Sequence, residues 1–266
     1  MQKVSLEING KKVSREIEDH TLLSTLPEGC ETIQTDDVFK EEQKWWSEVL
    51  VDVDTVLHLA WYTEPGKYLQ SEKNMDCLIG TLKMAQAAVR AGIRRFVGVG
   101  TCIEYDHSQG ILSVETQLKP TTLYAACKVS VYFTSAQWFE SQKIEFAWCR
   151  LFYLYGEGED SRRLVPYLHE KLKADEPANL TSGYQIRDYL DVKVAGKMIA
   201  EVVLGDKIGA LNICSGIPVT VRQLAENIAD EYGKRSLLSF SNNNNTGLIK
   251  HQDPPIVLGK LDNIKT

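Results

Sequence analysis

Residues 54–100 read DTVLHLAWYTEPGKYLQSEKNMDCLIGTLKMAQAAVRAGIRRFVGVG, and this stretch decides the fold. Asp54–Ala60 (DTVLHLA) is a short apolar run without polar alternation, the pattern of a strand buried on both faces. From Asn74 to Ala91 the apolar residues Met75, Leu78, Ile79, Leu82, Met84, Ala85 and Val89 recur at helical spacing, and Gly92 is a helix stop. Arg94–Gly100 (RRFVGVG) reads as the next buried strand. Strand, covering helix and strand form the crossover unit of a parallel sheet.

The rhythm continues on the C-terminal side. Thr121–Ser141 reads as a long helix opened by Pro120 and Thr121, and Ile144–Tyr155 (IEFAWCRLFYLY) as one more buried strand. The predicted fold class is therefore α/β, a doubly wound parallel sheet with helices on both faces. Beyond Tyr155 the pattern changes. Gly156–Asp160 is a loop, a helix starts near Arg163, and Thr181–Asp191 (TSGYQIRDYLD) follows. Lys193–Leu204 is helical, Ala210–Cys214 is a strand, Val219–Tyr232 is a helix, and Ser241–Gly247 (SNNNNTG) is a polar surface turn.

Composition excludes several classes of function. Of the 266 residues 43% are hydrophobic and 25% charged, which supports a packed core rather than a disordered chain. Thirty basic against 36 acidic residues give a net charge of -6, unsuited to nucleic-acid backbone. No apolar run approaches the ~18 residues of a membrane span. The N-terminal MQKVSLEINGKK alternates and carries charge, unlike a secretory signal. The six cysteines lack a C-x-x-C pair and the five histidines lack H-x-x-x-H spacing. They read as buried thiols of a cytoplasmic protein, with no disulfide frame and no metal site.

One constellation carries chemistry. Tyrosine and lysine four apart on a helix share a face. A lysine charge beside a nicotinamide draws a phenol down from ~10 toward neutrality, which makes it a usable acid or base. Three such pairs occur: Tyr124/Lys128, Tyr167/Lys171 and Tyr189/Lys193. Only Tyr124 follows a buried strand that ends in a hydroxyl, Gly98-Val99-Gly100-Thr101. Ligands of open α/β sheets bind beyond the carboxyl ends of strands, so Thr101, Tyr124 and Lys128 form a candidate hydroxyl–phenol–ammonium triad. The other two pairs read as ordinary helix faces.

Taken in order, DTVLHLA, IGTLKMAQAAVRAGIRRFVGVGTCIEYD, LYAACK, RLFYLYGEGED, SGYQIRDYLDV and ALNICSGIPVTVRQLAENIA resemble an extended short-chain dehydrogenase/reductase of the NAD-dependent epimerase/dehydratase family, over about residues 31–230. The GTCIEYD and GYQIRDYLDV forms resemble members that act on deoxysugar nucleotides as 4-ketoreductases or epimerases. The resemblance implies a Rossmann-like domain over 1–155 and a mainly substrate-binding lobe over 156–266, with 190–215 returning to the main sheet. It implies NAD or NADP as cofactor and a nucleotide-linked (deoxy)hexose as substrate. It gives Thr101 the hydrogen bond to the sugar's reacting oxygen, Tyr124 the acid/base role, and Lys128 the cofactor ribose. Leu59 and Ala60 would flank the cofactor, Asp37 would lie near the adenine, and Arg187 would bind the nucleotide phosphates. A solvated turn carboxylate is the plain reading of Asp37 and a structural pair with Asp188 that of Arg187; Arg163 would help bind the phosphates, its plain reading being an exposed helix start. Helices 74–91 and 121–141 would form a homodimer interface; packing on their own sheet is the alternative.

Three departures stand against the pattern. None of the 18 glycines falls in G-x-G-x-x-G or G-x-x-G-x-x-G. Lys3–Ile8 resembles the family's second strand, so the first strand and its glycine turn are expected before Met1. On that reading the chain binds NAD(H) and NADP(H) weakly or not at all and is poorly stable; if instead Lys3–Ile8 takes the central slot and Asn9–Lys12 makes a substitute turn, binding survives. Tyr153 and Cys77 stand where the family often has asparagine. A non-catalytic remnant that kept nucleotide-sugar binding is the rival from another class.

Overall fold

The structure is a computed structural model that describes residues 4–9, 30–35, 37–241 and 253–261, the first two segments as backbone. Its elements run β1 (Val4–Asn9), β2 (Cys30–Thr35), α1 (Gln43–Val49), β3 (Thr55–His58), α2 (Lys73–Ala91), β4 (Arg95–Thr101) and β5 (Ile111–Leu112). Then come α3 (Leu123–Ser141), β6 (Glu145–Leu151), β7 (Tyr153–Tyr155), α4 (Leu164–Lys173), β8 (Ala178–Leu180) and β9 (Ile186–Asp191). The chain closes with α5 (Val192–Leu204), β10 (Gly209–Ile213), β11 (Pro218–Thr220), α6 (Val221–Glu231), β12 (Leu238–Phe240) and β13 (Ile256–Gly259).

The main sheet has the order β10-β6-β4-β3-β1-β2 with every pair parallel. Alternate strand residues feed two separate cores. Val56, Phe96, Phe146 and Trp148 face Trp46 and Leu50 near α1, Met84 and Ala88 of α2, and Val131 and Phe139 of α3. Leu57, Val97, Val99, Ala147, Cys149 and Leu151 face Ala195, Ile199, Val202 and Val203 of α5. Each buried Val, Leu, Ile, Phe or Met among them contributes ~1.5–3 kcal/mol, so two apolar faces explain the unbroken apolar strands. Close approach is built into the glycines. A Cβ on Gly98 would lie 2.5 Å from the Trp148 indole, and one on Gly80 would lie 2.5 Å from Cα of Phe39.

Two expectations are corrected. Lys3–Ile8 is not set one strand away from DTVLHLA. Val4–Asn9 pairs with β2 on one side and with β3 on the other, from Val4↔Thr55 to Glu7↔His58. The four residues of β3 are wholly buried, so its second edge requires a backbone partner, and the strand of Val4, Leu6 and Ile8 supplies it. Gly10–Lys12 of the substitute turn lie outside the described residues, as do residues 242–247 of the SNNNNTG stretch. The run 144–155 is also not a single strand. It breaks at Phe152, whose N–H turns to the Ile213 carbonyl, and Tyr153–Tyr155 leaves to pair with β9.

That break starts a second sheet of order β11-β9-β13-β5, with β7 also on β9. Beside it, α4, α6, β8 and β12 close a small core of Leu168, Leu172, Ala178, Ala225, Ile228 and Ala229. Residues 192–213 return to the main sheet as α5 and β10.

Candidate active site

The parallel strands end together, and their carboxyl ends open onto a cavity of about 360 Å³. Leu59 follows β3, Val99, Gly100 and Thr101 close β4, and Leu151 closes β6; all line it. Tyr124 and Lys128 reach it from α3, whose start is fixed by Thr122, the side chain of which accepts the Ala125 N–H. The far wall brings Phe152, Tyr153, Leu154, Glu159, Arg163 and Tyr189 from the segments around the second sheet. A cleft of this size with a few polar groups on an apolar lining is the usual form of a small-molecule site.

Lys128 is 3% exposed. Its ammonium donates to the Val99 carbonyl at 2.7 Å and stands 4.0 Å from the ring centre of Trp61, a cation–π contact. Trp61 is itself fixed by donating its Nε1–H to Asn74 at 2.9 Å. Edge contacts from Trp61 and Tyr68 flank the Tyr124 ring, with centroids 6.3 Å and 4.9 Å away. His58 lies beneath, bonded to Thr81 at 2.9 Å; burial, reinforced by the Lys128 charge, lowers it to about 3 and keeps it neutral. Cys102 lines the cavity too, but burial pushes its thiol up to about 12, so it is inert at neutral pH.

The cavity therefore unites Thr101, Tyr124, Lys128 and Leu59, while Ala60 is buried next to Leu59. Asp37 and Arg187 are not among its lining residues. Asp37 caps a short turn after β2, accepting the Phe39 N–H at 3.2 Å and pairing with Lys40 at 3.0 Å. Arg187 is buried, donates to Asp253 at 2.5 Å and to the Ile186 carbonyl at 2.8 Å, and lies 5.5 Å from the ring centre of Tyr153. Its ion partner is thus Asp253, not Asp188. Asp188 instead accepts from the Ser215 N–H and hydroxyl and from the N–H groups of Gly216 and Gly259. The other two tyrosine–lysine pairs differ. Tyr189 is on β9 while Lys193 is on α5, and Tyr167 and Lys171 bond on the surface to Asn179 and Glu176.

Sequence reasoning missed Trp61, Tyr68, Glu159 and Tyr189 as wall residues, and the buried pair Glu104–Arg150 behind Thr101. Glu104 carried a readable signal. Thr101-Cys-Ile-Glu104 has the Thr-x-x-Glu spacing of a helix-capping box.

A sequence profile built for the NAD dependent epimerase/dehydratase family matches residues 17–213. The chain belongs to this family. A curated relative, the dTDP-6-deoxy-L-talose 4-dehydrogenase (NAD(+)) of Aggregatibacter actinomycetemcomitans, is 22% identical over 204 residues, 74% of this chain and 73% of that protein. Among solved structures, the UDP-N-acetylglucosamine 4-epimerase of Methanobrevibacter ruminantium, in complex with UDP-N-acetylmuramic acid, superposes with a TM-score of 0.82 at 18% identity, over 98% of this chain and 90% of that one. The dTDP-glucose 4,6-dehydratase of Streptomyces venezuelae, with NAD bound, gives 0.72 at 20% identity, over 90% and 75%. The family is described as NAD dependent, NAD is named for the curated dehydrogenase and for the dehydratase structure, and the two solved structures share the α/β fold found in this member.

The site lining fits the nicotinamide end of such a cofactor. A phenol and an ammonium one helical turn apart face the apolar residues Leu59 and Val99, with the ammonium already anchored at its base. Lys128 could hold the ribose and Leu59 could flank the cofactor, whereas Ala60 is buried behind the lining.

Proposed function

We propose that this epimerase/dehydratase family member is an NAD(P)-dependent enzyme acting at C4 of a nucleotide-linked (deoxy)hexose, as an epimerase, 4-ketoreductase or dehydratase. The observation that carries the reading is the meeting of Thr101, Tyr124 and Lys128 in one cavity at the strand ends. When bound, the nicotinamide accepts or returns a hydride. Tyr124 moves the hydroxyl proton of the same carbon, Thr101 hydrogen-bonds its oxygen, and Lys128 keeps a positive charge beside the phenol. Asp37 is proposed to meet the adenine end. The test is incubation of the chain with NAD(H) and a panel of UDP-glucose, UDP-N-acetylglucosamine and dTDP-glucose, following nicotinamide absorbance and the sugar's NMR spectrum. Conversion of at least one is expected; an unchanged panel overturns the reading.

With β1 filling the place beside β3, the 266-residue chain is expected to bind NADH saturably, with Kd below about 1 mM. A fluorescence titration without saturation would restore the expectation of weak binding.

Arg187 is proposed to take the nucleotide's phosphates, exchanging Asp253 for them. Arg187→Ala is then expected to weaken nucleotide-sugar binding by ~1.5–3 kcal/mol, the size of a hydrogen bond to a charged group. Calorimetry on the folded variant decides, and unchanged affinity makes Arg187 a structural residue.

We further propose a homodimer through α2 and α3, in the cytoplasm. The two helices pack together and leave Met75, Ile79, Phe133 and Trp138 exposed. Phe133→Lys is expected to give monomers in sedimentation; an unchanged mass excludes this face.

A further inference from the structure

Thr101 ends β4 and opens a short turn, Cys102–Glu104, through reciprocal bonds. Its Oγ1 accepts the Ile103 N–H at 3.3 Å, while Glu104 Oε1 accepts the Thr101 N–H at 2.8 Å. The same device recurs at Thr220 and Gln223, where it is exposed and serves only to start α6. At 101–104 the setting differs. Glu104 is fully buried, and its Oε2 accepts Nε–H of Arg150 at 2.7 Å. Both carboxylate oxygens lie 3.1 Å from the indole N–H of Trp148.

Arg150 is 1% exposed and lies 4.7 Å from the ring centres of both Tyr105 and Tyr132. It donates to the Tyr105 hydroxyl at 3.0 Å, and that hydroxyl donates to Asn212 Oδ1 at 2.7 Å. The Asn212 amide reaches the Leu112 carbonyl at 2.9 Å. A rigid polar chain therefore runs from the Thr101 backbone to the second sheet. Gly100 sits directly on it, since a side chain there would collide with both Trp148 and Glu104.

A helix cap needs no buried arginine, and well-packed apolar residues would fill this space more favourably than two desolvated charges. What the ion pair adds is direction. The turn engages Thr101 as an acceptor, through Ile103, and leaves its hydroxyl hydrogen uncommitted to that bond. We infer that Glu104, clamped by Arg150 and Trp148, is the positioning residue that fixes Thr101 so that its hydroxyl donates into the cavity, onto the sugar's reacting oxygen. The inference rests on the reading of Thr101 and Tyr124 as the reacting groups.

The test compares Thr101→Val, Glu104→Gln, the paired replacement Glu104→Leu with Arg150→Met, and that pair combined with Thr101→Val. Each is assayed with NAD(H) and the panel sugar that the unaltered chain turns over fastest. The apolar pair is expected to melt no lower than the parent. Its kcat should fall by roughly tenfold to a hundredfold, as misplacement of about an ångström does, with KM little changed. Thr101→Val should lose a similar factor, and the combination no more than the larger of the two, because both changes remove one interaction. The amide of Thr101 should exchange at least ~10-fold faster in the apolar pair than in the parent. If the pair fails to fold, Glu104→Gln carries the test by a smaller fall in kcat at constant KM, because its oxygen can still accept the Thr101 N–H while its amide cannot accept from both Arg150 and Trp148. A folded pair with parental kcat, or losses that multiply with Thr101→Val, overturns the inference. Parental turnover in both Thr101→Val and Tyr124→Phe overturns instead the reading of the site.

Discussion

Tyr124→Phe is expected to lower turnover by ~10²–10⁴, the contribution of a positioned acid or base, while nucleotide-sugar affinity stays nearly constant. The change removes one oxygen and keeps the ring that packs edge-on against Trp61 and Tyr68. The ring packing is therefore kept, and a loss confined to kcat reports on the proton. Tyr167→Phe is the matched control. Its hydroxyl accepts the Asn179 N–H on the surface of the small lobe, outside the cavity lining. Near-parental turnover of the Tyr124 variant would remove the phenol from the chemistry.

The largest effect on stability is expected at Asp188. This fully buried carboxylate joins β9 to the loop after β10 and to β13 through Ser215, Gly216 and Gly259. Asp188→Ala orphans three backbone N–H groups, each worth ~1–3 kcal/mol when left without a partner in the interior. A loss of at least ~3 kcal/mol follows, read by denaturant unfolding. Asp188→Asn can still accept from some of these donors and should lose less. Equal stability of Asp188→Ala and the parent would show that water takes over the three donors.

The central layers were legible because a parallel strand covered on both faces must be apolar throughout. Thr55–His58, Arg95–Thr101 and Glu145–Leu151 all lie within their predicted runs or one residue beyond. The break at Phe152 was not legible, because residues on both sides are equally apolar. It is set by which distant strand offers an edge, β10 before the break and β9 after it. The two residues of β5 and the four of β13 gain their strand character from long-range pairing rather than from local pattern. For the same reason, resemblance placed Lys3–Ile8 differently from the pairing that the buried edge of β3 demands.

In the site, the fixed spacing of Tyr124 and Lys128 on one helix could be read directly. The wall of Trp61, Glu159 and Tyr189 could not, since three separated segments meet only after the sheets form. Arg187 shows the converse. Its motif stands out in the sequence, yet its immediate partner is Asp253, which lies 66 positions away.

The position of β13 bears on how the molecule is made. This strand lies between β9 and β5, inside the second sheet, although it follows every other described strand in sequence. Chains are released from the N-terminus at a finite pace, and the main sheet contains every strand it needs by Ile213. The second sheet does not. Until residues 256–259 emerge, β9 and β5 keep open edges, and Asp188 waits for the Gly259 N–H. The main sheet can thus be complete while the edge of the second sheet is still unzipped. A nascent chain stalled before Ile256 would present two sticky strand edges to its neighbours on the polysome.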